Sequence, residues 1–237
     1  MKERPILFSA PMVRALLDGS KTQTRRIVKG QAPEWATFGA EADIHGREFF
    51  MVCGEQEPSG LSPILDGIYC PYGQPGDRLW VRESHAQVLE VDIPAGRPAG
   101  PIGTMGSPAR PDWKSRYVYR ADGEMPNVQW HHLEDSQPVR WTPSIHMPRA
   151  ASRILLEVVS VRVERLNAIS SDDCRAEGIR QCDGIGTNAQ ILDLARRMGT
   201  HTDEVLRYAT LWEQINGAGS WDANPWVWVV EFNRVAP

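Results

Sequence analysis

The stretch Pro225-Trp226-Val227-Trp228-Val229-Val230-Glu231-Phe232 decides the fold class of this chain. It is rich in β-branched and aromatic residues and is apolar on both alternating faces, so both faces must be covered. We therefore predict a central β-strand in a covered or closed sheet. Such a strand needs neighbours, and further strands are predicted over residues 6–8, 22–28, 78–83, 116–120 and 159–163.

Helix signals are scattered between these strands. Pro11 in a first turn and Gly19 at a stop delimit a short helix. The run Ser170-Ser171-Asp172-Asp173 supplies capping oxygens and negative charge to a second helix, which Gly178 closes. Two further helices are predicted over residues 189–198 and 203–216. Strands with helices at scattered places indicate an α+β or small β-barrel architecture.

A chain of 237 residues with 41% hydrophobic content is long enough for one domain that carries insertions. Residues 30–72 and 93–112 lose periodicity and gather Gly and Pro, so we predict irregular surface insertions at both places. Val159, Val161 and Val163 alternate with polar residues, which predicts that all three valines are buried on one strand face.

The formal net charge is -4, so the whole molecule has no cationic field for nonspecific binding of long polyanions. The four cysteines include no C-x-x-C pair, and no signal peptide or long apolar span is evident. We expect a cytoplasmic protein without a membrane segment. His131-His132 and the cysteines lack zinc-site spacing, so no metal and no other cofactor is predicted.

The stretch Gly19-Ser20-Lys21-Thr22-Gln23-Thr24-Arg25-Arg26 crowds an amine, hydroxyls and guanidiniums directly after a helix stop. Such a group of side chains suits a small polar or anionic ligand. The competing interpretation is structural, because threonines are ordinary strand residues and a lysine or arginine run is often a solvated strand face. The pattern alone leaves both interpretations open.

Three segments together resemble the ASCH-domain family, and its larger phage- and prophage-encoded members most. They are the stretch 19–26, Pro75-Gly76-Asp77-Arg78-Leu79-Trp80-Val81-Arg82-Glu83, and Ser144-Ile145-His146-Met147-Pro148-Arg149. The resemblance covers most of residues 1–237 as a single domain and is weakest in the insertions near 30–72 and 93–112. It implies a PUA-like fold, a small β-barrel with flanking helices around a cleft suited to nucleobases.

Some small ASCH proteins are amidohydrolases that remove the acyl group from N4-acylated cytosine, cytidine and related nucleosides with a lysine, a threonine and a glutamate. The resemblance assigns the first two to Lys21 and Thr24. The glutamate lies in that family at the start of a helix after a long strand, and Glu177 is the best match. This chain is about twice as long as the small amidohydrolases, so its extra loops could reshape the pocket.

Amide hydrolysis needs a nucleophile, a base and a proton donor for the leaving amine. We expect Lys21 to be the base, with Arg25 and Arg26 favouring its neutral form. Thr24 or a water that it holds is the nucleophile, Glu177 orients Lys21, and Arg26 or a backbone amide stabilises the oxyanion. Residues three apart face opposite ways in a strand, so the backbone between Lys21 and Thr24 must turn or bulge, and a Lys21 in the loop before a strand that begins at Thr24 would meet this need.

We expect Arg25, Arg26, Glu83, His146 and Arg149 to bind the substrate. The alternative for Glu83 is an exposed carboxylate at a strand end. For His146 and Arg149, the alternative is a structural turn at Pro148 in which the histidine bonds a backbone carbonyl. The leading function is therefore an amidohydrolase for a modified cytosine nucleoside or base. One alternative is a non-catalytic protein that binds RNA or a modified base in the same cleft, with RNA as its partner. The other alternative is a ribonuclease.

Overall fold

The computed structural model describes residues 1–42, 46, 48–54, 64–90, 101–102, 114–124, 129–132, 135–138, 140–179, 188–199 and 201–236. Its helices are α1 (Ala10–Leu17), α2 (Ser171–Ala176), α3 (Asn188–Met198) and α4 (Asp203–Asn216). Its strands are β1 (Glu3–Leu7), β2 (Gln23–Ile27), β3 (Thr37–Ala42), β4 (Glu48–Cys53), β5 (Ile64–Ile68), β6 (Arg78–Arg82), β7 (His85–Glu90), β8 (Pro101–Ile102), β9 (Lys114–Tyr119), β10 (Gln129–His132), β11 (Asp135–Pro138), β12 (Leu155–Arg165) and β13 (Trp226–Val235).

The main sheet has five strands in the order β1-β6-β12-β13-β2. Strand β13 lies between β12 and β2 and pairs antiparallel with both, while β1 and β6 are parallel. The first five residues of β13 are all buried. The prediction of a central strand that is covered on both faces is therefore confirmed.

The alternation of β13 divides the interior into two layers. Trp226, Trp228, Val230 and Phe232 pack with α1, β1 and β6 on one face of the sheet. Val227 and Val229 pack on the other face against α2, α3 and α4. Apolar residues are needed at all of the positions 226–230 because both layers are packed on this part of the strand.

The prediction of three buried valines in β12 is wrong for Val159, which is 48% exposed. Val161 is buried and Val163 is partly buried. In the pairing with β13, Val158 faces Phe232 and Ser160 faces Glu231, so Val159 is the extra residue of a β-bulge. Because the period along a strand is two, the bulge moves Val159 to the other face.

The prediction of irregular structure over residues 30–72 is wrong for a large part of that segment. Strands β3, β4 and β5 form a three-stranded antiparallel sheet there. Phe50 of β4 packs its ring against Trp228 of the main sheet, with the centroids 5.1 Å apart. The second segment, 93–112, contains β8, which pairs with β10, and its other residues lie outside the described part of the chain.

The architecture is mixed α+β, with several sheets and four helices in the described residues. Those residues contain no closed barrel: the five-stranded sheet ends at β1 and β2. All four predicted helices are present within one residue of the expected bounds. In the part of the chain that is described, none of the helices combines the length and apolar character that crossing a membrane requires.

Candidate active site at the start of the edge strand

Lys21 lies in the short connection between α1 and β2. Gly19 turns the chain after the helix with φ 81°, a conformation that glycine adopts without steric cost. The amide of Lys21 donates to the carbonyl of Ala15, and Lys21 forms an isolated antiparallel bridge with Glu177. Strand β2 begins two residues later. The prediction that Lys21 precedes the strand that holds Thr24 is confirmed.

The amine of Lys21 contacts three oxygen acceptors. Its Nζ lies 2.8 Å from Oε2 of Glu177, 2.8 Å from the carbonyl oxygen of Gln23 and 2.9 Å from the carbonyl oxygen of Glu177. Its side chain is fully buried, with the Phe8 ring centroid 5.4 Å from Nζ. Three acceptors match the three donors of an ammonium group. This arrangement favours the charged form of Lys21, in contrast to the expectation of a neutral base.

Glu177 is held at the C-terminal end of α2. The helix begins with a capping box in which the side chains of Ser170 and Asp173 bond each other's backbone amides. Gly178 follows with φ 80°, and a Cβ there would lie 2.7 Å from Cβ of Ala15 and 3.1 Å from Cβ of Lys21. The close approach of α2 to α1 therefore requires glycine and brings Glu177 to Lys21.

Arg25 lies on the same side of β2 and is surrounded by carboxylates. Its Nη2 lies 3.1 Å from Oε2 of Glu164 and 3.3 Å from Oδ2 of Asp173, and its side chain is fully buried. Its Nη1 lies 3.7 Å from Oε1 of Glu177, which is too far for a hydrogen bond. Carboxylates thus balance the charge of Arg25, so it does not drive Lys21 toward its neutral form.

Four buried polar atoms of Arg25, Arg26 and Glu177 have no hydrogen-bond partner among the described residues. They are Oε1 of Glu177, the Nε and Nη1 atoms of Arg25 and the Nε atom of Arg26. A buried donor or acceptor without a hydrogen-bond partner costs about 1–3 kcal/mol of stability. Native proteins therefore rarely keep several such atoms together unless the atoms have a function. Three of these four atoms belong to Arg25 and Glu177, whose Nη1 and Oε1 atoms face each other at 3.7 Å.

Both of these side chains line a small cleft of about 80 Å³ between α1, β2 and α4. Thr24 and Arg26 line it as well, while Lys21 is not among its lining residues. Tyr208 also lines the cleft. Burial, together with the nearby charge of Glu177, raises the pKa of Tyr208, which keeps its hydroxyl neutral. The remaining wall is mostly apolar and is formed by Met12, Ile27, Leu211, Trp212, Ile215 and Asn216.

The two carboxylates that bind Arg25, those of Asp173 and Glu164, are part of a larger set of ion pairs. Burial opposes ionisation of Asp173, but hydrogen bonds from Ser170 and the charge of Arg25 outweigh it and lower its pKa to about 2. The Nη2 of Arg162 lies 3.3 Å from Oδ1 of Asp173, and its Nε bonds Glu164 at 2.5 Å. Sequence reasoning missed Asp173 and Glu164 as partners of Arg25, because pairs this far apart along the chain leave no local pattern.

Glu83, His146 and Arg149 lie outside this cleft. Glu83 is buried and forms a two-point ion pair with Arg153, at 2.9 and 3.1 Å. His146 is exposed in the turn Ser144–His146. Arg149 is exposed, and its Nε bonds the carboxylate of Glu3 at 2.9 Å. The structure therefore brings Lys21, Thr24, Arg25, Arg26 and Glu177 together and leaves the other three predicted residues elsewhere.

A second, wider cleft of about 700 Å³ lies near the start of α1. Sequence reasoning did not find it, because its lining residues come from four separate segments. They are Ser9, Ala10, Pro11, Arg14, Ser84, Arg120, Gly123, Glu124 and Trp141.

Comparison with known proteins adds no identification, since no family model, no curated protein and no solved structure matches this chain. Among the described residues, no group of three or more His, Cys, Asp or Glu side chains is arranged to hold a metal ion.

Proposed function

We propose that this protein is an amidohydrolase that removes the acyl group from N4-acylated cytosine or cytidine. The observation that carries the proposal is the 2.8 Å contact between Nζ of Lys21 and Oε2 of Glu177, which are 156 positions apart in the chain. The resemblance of the motifs to the ASCH family selects these two residues together with Thr24. Thr24 and Glu177 line the same cleft.

The proposed roles follow from which atoms are available. Oε1 of Glu177 has no hydrogen-bond partner among the described residues, and it takes the proton of the nucleophile. The nucleophile is the hydroxyl of Thr24 or a water that Thr24 holds. Its oxygen attacks the acyl carbon, the bond from that carbon to N4 breaks, and the leaving nitrogen receives the proton from Glu177.

The two nucleophiles give the same products by different routes. Direct attack by Thr24 forms an ester on its hydroxyl oxygen, which a water then hydrolyses to regenerate Thr24. Attack by water forms the carboxylic acid in one step. A search by mass spectrometry for an acyl adduct on Thr24 separates the two routes.

In this proposal Lys21 acts through Glu177. Its ammonium holds Oε2, orients the carboxylate toward the cleft, and balances its charge in a site with little water. Lys21 is therefore a positioning residue in the proposed reaction, rather than the base that the motif alone suggests.

We also propose the PUA-like arrangement for the main sheet, because its two edge strands approach each other. Nη2 of Arg26 in β2 donates to the carbonyl oxygen of Leu7 in β1 at 2.7 Å. The guanidinium of Arg26 also lies over the Phe8 ring, 5.3 Å from its centroid. Experimental coordinates with β1 and β2 on widely separated edges would contradict a barrel-like closure.

The test of the activity is incubation of purified protein with N4-acetylcytidine and chromatography of the released cytidine. We expect turnover by the wild type and a loss of at least about 100-fold in Thr24→Val. The matched control is Thr22→Val, because Thr22 is exposed and does not line the cleft. If the wild-type protein is inert but binds RNA oligomers in a salt-sensitive way, the amidohydrolase proposal is wrong and the non-catalytic RNA-binding function is favoured.

A further inference from the structure

Arg25 has a bound end and an unbound end. The bound end, Nη2, contacts the carboxylates of Glu164 and Asp173. At the other end, neither Nη1 nor Nε has a hydrogen-bond partner among the described residues, although the whole side chain is buried. The two shortest ion pairs therefore involve one terminal nitrogen of Arg25, while Nη1 has only the 3.7 Å ion pair with Glu177 and makes no hydrogen bond to another described residue.

The unbound end is next to the atom that the proposed function uses as its base. Nη1 of Arg25 and Oε1 of Glu177 are 3.7 Å apart, and both side chains line the cleft with Thr24. One atom is a charged donor and the other is a charged acceptor. A carbonyl that accepts from Nη1 would present its carbon to a nucleophile whose proton is taken by Oε1.

We infer that Arg25 is a further catalytic residue that donates a hydrogen bond from Nη1 to the oxygen of the scissile acyl group. The inference rests on the proposed function. As the nucleophile attacks, the carbonyl π electrons move to that oxygen, and they return when the bond to N4 breaks. Arg25 keeps its proton throughout and stabilises the negative oxygen between these two events.

Arg26 is the neighbouring candidate for this role, but its guanidinium contacts other groups. Its Nη2 bonds the carbonyl oxygen of Leu7 at 2.7 Å, and its guanidinium lies over the ring of Phe8. Arg26 also lines the cleft and its Nε has no hydrogen-bond partner among the described residues, so the position relative to Glu177 decides between the two arginines. Arg25 faces Glu177 and is therefore the better donor.

The burial of Arg25 adds strength to such a hydrogen bond. A guanidinium that is held by two carboxylates cannot rotate freely, so its unbound nitrogen keeps one direction during the reaction. Glu164 and Asp173 thus hold the donor in place, and neither lines the cleft.

The test compares Arg25→Lys with Glu164→Gln in N4-acetylcytidine hydrolysis. We expect kcat to fall by about 100-fold in Arg25→Lys with KM within about threefold, since a donor to the developing oxyanion acts mainly in the transition state. In Glu164→Gln the amide oxygen still accepts from Nη2 and Asp173 keeps its contact, so the donor is loosened but not removed, and we expect kcat to fall by less than about tenfold. Added guanidinium ion should restore part of the activity of Arg25→Ala.

Several outcomes would overturn the inference while leaving the proposed function in place. One is a wild-type kcat in Arg25→Lys, and another is an equal loss in Arg25→Lys and Glu164→Gln without guanidinium rescue of Arg25→Ala. A third is a loss of kcat in Arg26→Lys alone. Inert wild-type protein would overturn the proposed function itself, and the Arg25 role with it.

A measurement on the wild type covers the case in which the variants do not fold. The probe is a cytidine analogue whose acyl group is replaced by a tetrahedral phosphonamidate. In its crystal complex, we expect an oxygen of the analogue at about 3 Å from Nη1 of Arg25. An analogue bound in the cleft with its oxygens bonded only to other groups would exclude Arg25 as the donor.

Discussion

Two buried glutamates of this protein meet basic partners in different ways. Both oxygens of Glu83 are bonded by one guanidinium, at 2.9 Å to Nε and 3.1 Å to Nη2 of Arg153. Only one oxygen of Glu177 is bonded, by Lys21, and its other oxygen faces Arg25 at 3.7 Å. The side chains are almost equally buried, with 2% and 4% of their surface exposed.

The surroundings repeat this contrast. Arg153 also bonds the carboxylate of Asp122 and lies over the ring of Tyr119, 3.9 Å from its centroid. That region is a closed set of satisfied charges. Around Glu177 several buried donors and acceptors have no hydrogen-bond partner among the described residues, and the side chains that carry them line a cleft. Burial of a charge is common to both regions, so it is the unused hydrogen-bonding capacity that distinguishes a candidate site from a structural ion pair.

The largest expected difference between the two glutamates is in activity. Glu177→Gln keeps an oxygen for the ammonium of Lys21 but removes the carboxylate base, so we expect kcat for N4-acetylcytidine to fall by about 1,000-fold. We also expect a loss of about 1–3 kcal/mol in the free energy of unfolding, because the buried ammonium of Lys21 loses its charged partner. Steady-state kinetics and calorimetry on the same preparations measure both quantities.

The matched variant is Glu83→Gln, which removes one charge from the closed set. We expect a loss of about 1–3 kcal/mol in the free energy of unfolding, since Arg153 loses a charged, two-point partner. Its effect on kcat should be far smaller than that of Glu177→Gln. Equal effects of the two variants on kcat would remove the distinction between the regions.

A second change tests whether Lys21 stabilises the site. Lys21→Met keeps the side-chain length but leaves the buried carboxylate of Glu177 without its ammonium partner. We expect the free energy of unfolding at neutral pH to fall by about 3 kcal/mol, as measured by urea denaturation. The double variant Lys21→Met with Glu177→Gln should recover part of that loss, and no recovery would show that the charge pairing is not the cause.

A third pair of variants compares a glycine beside the Glu177 site with a glycine in the turn before β6, the strand that leads to Glu83. Gly178→Ala places a Cβ 2.7 Å from Cβ of Ala15 at φ 80°, whereas Gly76→Ala has φ 84° and no atom within 4 Å. Both changes incur the cost of a left-handed conformation, about 1–2 kcal/mol. Only Gly178→Ala should lose more than that and also lower kcat, because α2 must move away from α1. Equal unfolding midpoints would contradict this packing.

The smallest expected effect is on acid stability. The pKa of Asp173 is lowered from 3.8 to about 2 in the folded protein. Its contribution to stability is therefore complete above pH 3.8 and is lost as the pH falls toward 2. We expect Asp173→Asn to reduce stability by about 1 kcal/mol at pH 7, after allowance for solvent screening, and to flatten the acid limb of the stability curve.

Local signals were sufficient for the helices and for the main strands. Pro11 and Gly19 delimit α1, and a capping box and Gly178 delimit α2. The apolar run of β13 shows that it is covered on both sides. They failed at Val159, because a bulge depends on the pairing partner and leaves no mark on the alternation of one strand. They also failed for β3 to β5, whose stability comes from packing such as Phe50 on Trp228.

For the candidate site, the family resemblance nominated Lys21, Thr24 and Glu177, and strand alternation required the backbone between Lys21 and Thr24 to turn or bulge. Folding decided that Lys21 is bound by acceptors, that Arg25 is neutralised by Glu164 and Asp173, and that Glu83, His146 and Arg149 lie elsewhere. The physical reason is range. Caps, turns and strand periodicity act between neighbours in the chain, whereas the charge state and the unused bonds of a buried group depend on residues that only the packed structure brings within a few ångströms.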